Sequence, residues 1–448
     1  MRPCLALTVA VVALASTACF KIPDGGGDEL GDTVGTDTAD TGTDTSTSTG
    51  TDTTDTTTDT DTDTTDTTDT GMSQCVSELD ILVVLDNSGS MGTIQRRVAE
   101  GIAGLIVPLD SAGVSWRLGV TTSDNGNPWC PAGTTTPEAG RLVFSSCKTR
   151  LDDFLFGDSV NVQDIACNDI CALDEIATKP TTTEFDPTPT PRAWLEGFEG
   201  GNNLLGDLDV ASALACLLPQ GVNGCGFESQ LESSYLALLR SNIVDELNYG
   251  FLRSEAALLV LIVSDEADCS YNKDWETIFA ADGNKAFWSD PNASFPTSAV
   301  CWNAGVECLG DPSKYSSCSA VNKDVDGNST NTPSAAVLHP LSRYQGLLSE
   351  LAADKPALRV ALIGGVNANG IPTYADAGMI DPSFQDSFGI GPSCIADDPF
   401  LPGNSIKAVP PVRMLEVSKS WGGDVASVCA DSFIAALGEI ASAFVSDC

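Results

Sequence analysis

The stretch Leu79–Gly92, LDILVVLDNSGSMG, is the one from which the rest of the chain can be read. An apolar run, Ile81 to Leu85, stops abruptly on Asp86. A short apolar run bounded by turn residues reads as a buried strand. Asp86, Ser88 and Ser90 follow at alternate positions, and Gly89 and Gly92 loosen the backbone. A helix comes next. Val98, Ile102, Leu105, Ile106 and Leu109 give it one apolar face at 3.6-residue spacing, with Pro108 near its end. Carboxylate and hydroxyl oxygens at the C-terminal end of a strand suit a hard cation, which prefers oxygen ligands. Strand-to-helix loops at that edge are also where open α/β sheets bind ligands.

Strands and helices keep alternating downstream. Strand signals occur at Trp116 to Thr121, Ala256 to Val263, Leu358 to Ile363 and Asp424 to Val428. Helical stripes occur at Val210 to Leu218, at Leu231, Tyr235, Leu238, Leu239, Ile243 and Leu247, and at Val337, Leu338, Leu341, Tyr344, Leu348 and Leu351. A further helix is expected around Met414, and a closing one carries Phe433, Ile434, Leu437, Ile440 and Phe444. This alternation predicts a mainly parallel sheet covered on both faces, a Rossmann-like doubly wound α/β fold. Residues 72–448 read as one such domain, interrupted by loop-rich insertions at about 124–206, 267–334 and 366–409.

The DxSxS stretch, its strand, and the trailing Met91 and Gly92 resemble the metal-ion-dependent adhesion site of von Willebrand factor A domains. The resemblance covers the elements from Leu79 to the C-terminus but not the insertions. It implies that Asp86, Ser88 and Ser90 hold a divalent cation, Mg²⁺ or Ca²⁺, and that an acidic group of a protein or glycan ligand completes the shell. It also implies a Thr from a second loop and an Asp from a third. Asp265, ending the central apolar strand in VSDEAD, fits the third. The second loop departs from the pattern: it reads NGCGFESQ, residues 223–230, with no Thr. Glu228 or Ser229 stands in its place, Glu228 with a charged oxygen. The neighbours Glu266 and Asp268 either coordinate or are solvated.

The N-terminus reads as an export signal. Arg2 precedes an apolar segment, Leu5 to Leu14, too short to span a bilayer. Ser16, Thr17 and Ala18 then lead to Cys19, which resembles the lipidated cysteine of bacterial lipoproteins, although Ser16 stands where that family usually has Leu. Residues 1–18 are thus expected to be a signal peptide, and the mature chain an outer-membrane or cell-surface lipoprotein touching the membrane through its lipid alone. Ordinary cleavage, giving a secreted or periplasmic protein, is the alternative. Residues 19–71 form a Thr/Asp-rich linker. From Asp24 on it has hardly an apolar side chain and no basic one. Such a segment cannot bury enough surface to offset its chain entropy and is expected to be disordered. Flexible-chain scaling of ~5–6 Å times the square root of length gives it a reach of several nanometres.

The chain has 16 cysteines. Cys4 leaves with the signal and Cys19 is the lipid site, so an even number remains, Cys75 to Cys448. In an exported chain these read as disulfides. Irregular spacing, no CxxC pair and a single histidine, His339, argue against zinc. Cys216 and Cys225 bracket LLPQGVNG and form a plausible local pair. Domain termini are often close together, and some A domains resembling this one are bridged there; a Cys75–Cys448 bridge is expected on that resemblance, with Cys429 the rival partner for either residue.

A net charge of −40 excludes nucleic acid as a partner, since binding it needs clustered Lys and Arg. Catalysis is poorly served: there is no GxSxG elbow, and a Ser–His system would have to use His339. NKDVDGN, residues 322–328, begins like a calcium loop, but its twelfth position is Pro333 rather than Glu, and a plain Asp/Gly/Asn turn is the better reading. The expected function is therefore cation-dependent binding by a non-enzyme. The alternatives are a structural envelope lipoprotein without cation-dependent binding and a metal-dependent hydrolase.

Overall fold

The apolar runs of the sequence pair side by side. The computed structural model describes residues 76–130, 135–157, 160–378 and 380–446. The signal, Cys19, the linker and both ends of the Cys75–Cys448 bridge lie outside the described residues. Seven strands form the main sheet: β1 (Glu78–Leu85), β2 (Ser115–Thr122), β3 (Leu195–Phe198), β4 (Gly201–Asn202), β5 (Ala257–Val263), β6 (Leu358–Gly364) and β7 (Val425–Ser427). Their order is β7-β6-β5-β1-β2-β3-β4. β1 runs parallel to both β2 and β5, with Leu82 opposite Gly119 on one side and Val260 on the other. β5, β6 and β7 continue in parallel, while β3 and β4 add an antiparallel edge. The chain leaves β1 toward β2 and returns later through β5, so the winding reverses between β1 and β5. Open α/β sheets bind ligands at such a switch point.

Alternation of side chains along the strands divides the core into two layers. Ile81, Val83, Leu85, Leu259, Leu261 and Val263 face α1 (Gly92–Gly101), α2 (Ala103–Ser111), α3 (Val210–Leu217) and α9 (Ile434–Val445). Leu82, Val84, Leu258, Val260 and Ile262 face α4 (Gln230–Arg240), α6 (Leu341–Ala352) and α8 (Val412–Ser420); α5 (Ala299–Gly305) and α7 (Pro382–Phe388) belong to the second and third insertions. Each fully buried Leu, Ile or Val contributes roughly 1.5–3 kcal/mol. α2 and α9 approach backbone to backbone: a Cβ on Gly104 would lie 2.2 Å from the Ile434 carbonyl oxygen, so only glycine fits.

Three expectations change. The single first helix is two, joined at Ile102. The stripe through Leu247 outruns its helix, since α4 ends at Arg240 and Leu247 is exposed. Val337 and Leu338 precede α6, which starts after Pro340, and are buried in a satellite core with Phe279, Trp288 and Val300 under the second insertion. The first insertion also supplies β3 and β4 to the sheet edge.

Among the described residues six disulfides staple the insertions: Cys130–Cys225, Cys147–Cys167, Cys171–Cys216, Cys269–Cys301, Cys308–Cys318 and Cys394–Cys429. Cys216 and Cys225 are therefore both bonded, but not to each other. α3 turns Cys216 into the apolar core beside Cys171, and the loop that follows carries Cys225 into the satellite core. Cys429, bonded to Cys394, is no partner for Cys75 or Cys448. Disulfides in this number are consistent with an exported, oxidising location. No helix among the described residues is long and apolar enough to cross a membrane.

Candidate functional site

β1 delivers Asp86 into the middle of the sheet's C-terminal edge. The Asp86 amide donates to the Val263 carbonyl at 3.0 Å, prolonging the ladder with β5. Its side chain is fully buried. Oδ1 accepts from the Ser88 amide at 2.8 Å, the turn that Asp-x-Ser favours, and Oδ2 accepts from the Ser264 hydroxyl at 2.6 Å. Ser264 Oγ in turn accepts from Gln230 Nε2 at 2.8 Å. The Asp86 carbonyl accepts from Gln95 Nε2 at 2.8 Å. Gln95 also donates to the Gly221 carbonyl and accepts from the Gln220 and Gly221 amides. One buried amide thus locks the DxSxS turn, α1 and the 220-loop together. The next turn of that loop presses on Asn87, where a Cβ on Gly224 would lie 2.3 Å from Asn87 Oδ1.

The structure brings Asp86, Ser88, Ser90 and Asp265 together. Ser88 Oγ and Ser90 Oγ are 3.2 Å apart, and Ser90 Oγ donates to Asp265 Oδ1 at 3.2 Å. Ser90 is exposed, whereas Asp86, Ser88 and Asp265 are buried, so the cluster meets solvent on the Ser90 side. Glu228, expected as a replacement for the Thr, is buried at the same edge and within the electrostatic reach of Asp86. Ser229, the other residue considered, donates its hydroxyl to the Cys269 carbonyl.

Glu266 and Asp268, which the sequence left between coordination and solvation, part company. Asp268 is ion-paired with Arg413 at 2.9 Å and accepts from Ser270 Oγ and the Leu231 amide. It is structural. Glu266 is buried, not solvated, and its Oε2 has no hydrogen-bond partner. Glu228 Oε1, Asn87 Oδ1 and Gln230 Oε1 are likewise buried acceptors without a donor. Gln95, Ser264 and Gln230 escaped sequence reasoning. Ser264 alone had a signal, its place directly before Asp265.

Four carboxyls therefore sit inside one sheet edge. Burial raises the pKa of Asp86 against the pull of the Ser264 and Ser88 hydrogen bonds. Burial and then the charge of Asp86 push Asp265 up to about 7. Glu228 is held well above its ordinary range by burial and then by Glu266 and Asp86. Glu266 is held up by burial and then by Asp86 and Asp265. The cation acting on the group is Arg97, which favours ionised Asp265; its guanidinium lies 4.9 Å from the Phe433 ring centre.

These donors are all oxygens, the type a hard divalent cation prefers, and four buried ones beside the cluster, on Asn87, Glu228, Gln230 and Glu266, lack a donor. Among the described residues, the one set of three acidic, cysteine or histidine side chains with ligand atoms within 4.8 Å of one another is Cys147, Cys167 and Cys171. Those sulfurs are spent in disulfides, and a metal ligand must be a thiolate. Any ion at the sheet edge needs the serine hydroxyls and water besides carboxylates. The 322–328 stretch is a turn closed on itself, with Asp324 Oδ1 accepting from the Asp326 and Asn328 amides at 3.0 and 2.9 Å. His339 lies near Glu232 and Asp268, its pKa lowered chiefly by burial. Comparison with protein-family models finds no match, and comparison with curated proteins finds none.

Proposed function

We propose that this domain is a von Willebrand A-type binding module that engages a protein or glycan ligand through a divalent cation, Mg²⁺ or Ca²⁺. The observation that carries this reading is the convergence of Asp86, Ser88, Ser90 and Asp265 at the switch point, one hydroxyl open to solvent. Ser88 and Ser90 contact the ion, and Asp86 and Asp265 hold it directly or through water. Glu228, buried at the same edge where a neutral Thr is usual, adds its charge to the surroundings of the ion without being one of these four ligands. The ion supplies a positive centre for an acidic group of the ligand, an attraction that the protein's own negative charge otherwise opposes. Cys19 and the linker tether the module at the outer membrane or cell surface. Catalysis is not part of this reading, which takes the raised carboxyls of the edge as ion ligands rather than as acid and base.

The test is a calorimetric titration of the chelator-stripped protein with MgCl₂ and CaCl₂. Asp86→Ala abolishes binding while circular dichroism stays native, because the apolar face of β1 is untouched. Equal affinity in variant and wild type excludes the site.

A further inference from the structure

A divalent ion held by Asp86, Ser88, Ser90 and Asp265 balances two carboxylates. Glu228 and Glu266 are left over. Both are more than nine-tenths buried, at 1% and 8% exposed. The two carboxyls lie within hydrogen-bond reach of each other, while Glu228 Oε1 and Glu266 Oε2 have no donor among the described residues. Buried charges without a partner are strongly unfavourable, so natural folds pair them or give them a metal. The cations around the edge are committed elsewhere: Arg413 to Asp268, and Arg97 to the Thr93 and Ala430 carbonyls.

The space in front of Glu228 has the features of a seat. A Cβ on Gly226 would meet only Glu228 Oε1, 4.0 Å away, so the side chain that glycine lacks leaves room in front of that oxygen. Ser298 Oγ donates to the Gly226 carbonyl at 2.9 Å and also lies within hydrogen-bond reach of the Glu266 carboxyl, so its oxygen sits at the mouth of that space. The three segments that meet here are fixed by disulfides: Cys225, next to Gly226, to Cys130, and Cys269, three residues beyond Glu266, to Cys301, three residues beyond Ser298. Such rigidity suits a permanent ion better than a mobile ligand.

We propose that Glu228 and Glu266 seat a second divalent cation, Ca²⁺, with Ser298 Oγ as a neutral ligand and water completing the shell. Ca²⁺ accepts irregular sets of carboxylate and neutral oxygens, whereas Mg²⁺ demands near-octahedral geometry. The inference deepens the cation-binding reading above and rests on it for the first ion. The second ion neutralises the back of the edge and fixes the loops that flank the first.

The experiment is equilibrium dialysis and calorimetry with CaCl₂ on the chelator-stripped full chain, disulfides intact. Wild type is expected to bind two Ca²⁺. Glu266→Gln and Asp86→Asn are each expected to retain one. Ser298→Ala, a milder change that decides the matter should Glu266→Gln not fold, weakens one event about tenfold and leaves the other. One bound ion whose affinity Glu266→Gln and Ser298→Ala leave unchanged overturns the second seat, with the glutamates sharing a proton instead, and spares the first. One ion lost in both Asp86→Asn and Glu266→Gln means a single shared ion and overturns it as well. No Ca²⁺ bound by wild type overturns the second seat, and no Mg²⁺ bound either overturns the first.

Discussion

Two buried aspartates mark the two ends of β1, one paired with a cation of the protein itself and one not. Asp80, near the start of the strand, is fully buried and paired: Arg253 Nε donates to its Oδ1 at 2.8 Å and the Arg253 amide to its Oδ2 at 2.7 Å. Arg253 also reaches Glu78 and the Leu79 and Ser115 carbonyls. Asp86, one residue past the end, is equally buried but faces three further carboxyls and receives hydroxyl and amide protons rather than a cationic side chain. One end of the strand carries its counter-ion in the sequence. The other, on the proposed reading, takes one from solution.

The largest expected effect breaks the first half of that contrast. Arg253→Ala strands Asp80 and should cost about 3–5 kcal/mol in urea unfolding, the usual penalty for removing one partner of a buried pair. The loss should be the same with and without Mg²⁺ or Ca²⁺. A loss that cation restores would mean the two ends are not independent.

Much of this fold was legible in the sequence because its signals are local. The apolar runs of β1 and β5 end on Asp86 and on Ser264–Asp265, so the oxygens at the switch point could be read before any pairing was known. β3 and β4 could not: LEGF and GN are too short and too glycine-rich to show a period of two, and they exist because β2 offers them an edge. Glu266 stayed open between coordination and solvation because its burial depends on the second insertion, whose Ser298 packs beside it. The disulfide partners of Cys216 and Cys225 were hidden for the same reason: Cys171 and Cys130 are 45 and 95 residues away.

The second prediction sharpens the contrast through pH. Asp265, ordinarily near 3.8, titrates at about 7 in the folded chain. Between those values the native state binds more protons than the unfolded one, so stability falls as pH rises and levels off above about 7. In chelator, this group alone should account for a drop of about 4 kcal/mol between pH 4 and pH 8, following 1.36 kcal/mol per pKa unit. Glu138, raised to about 7 by burial against Thr122, adds to the fall. Cation relieves only the sheet edge, since it binds the ionised carboxylates. The difference between melts with and without Mg²⁺ or Ca²⁺ should therefore widen as pH rises. A constant difference would sink the carboxylates as cation ligands.

A smaller effect is expected at Gln95. Gln95→Leu keeps the volume but leaves the Asp86 and Gly221 carbonyls and the Gln220 and Gly221 amides unpartnered, a loss of about 2 kcal/mol. Cation affinity should fall with it, because the amide positions the DxSxS turn. Lower stability with unchanged cation affinity would reduce Gln95 to a purely structural residue.

The central claim is that Asp86 is buried for an ion rather than for the fold, and one comparison tests it most directly. Thermal unfolding of wild type and Asp86→Asn is followed in chelator and in saturating Mg²⁺ or Ca²⁺. In chelator the variant should be at least as stable as wild type, since it loses one of four mutually repelling carboxylates. With cation at a hundred times its dissociation constant, wild type should gain about 2.7 kcal/mol and the variant nothing at that site. A variant that is strongly destabilised in chelator, or that gains from cation as much as wild type does, contradicts the account.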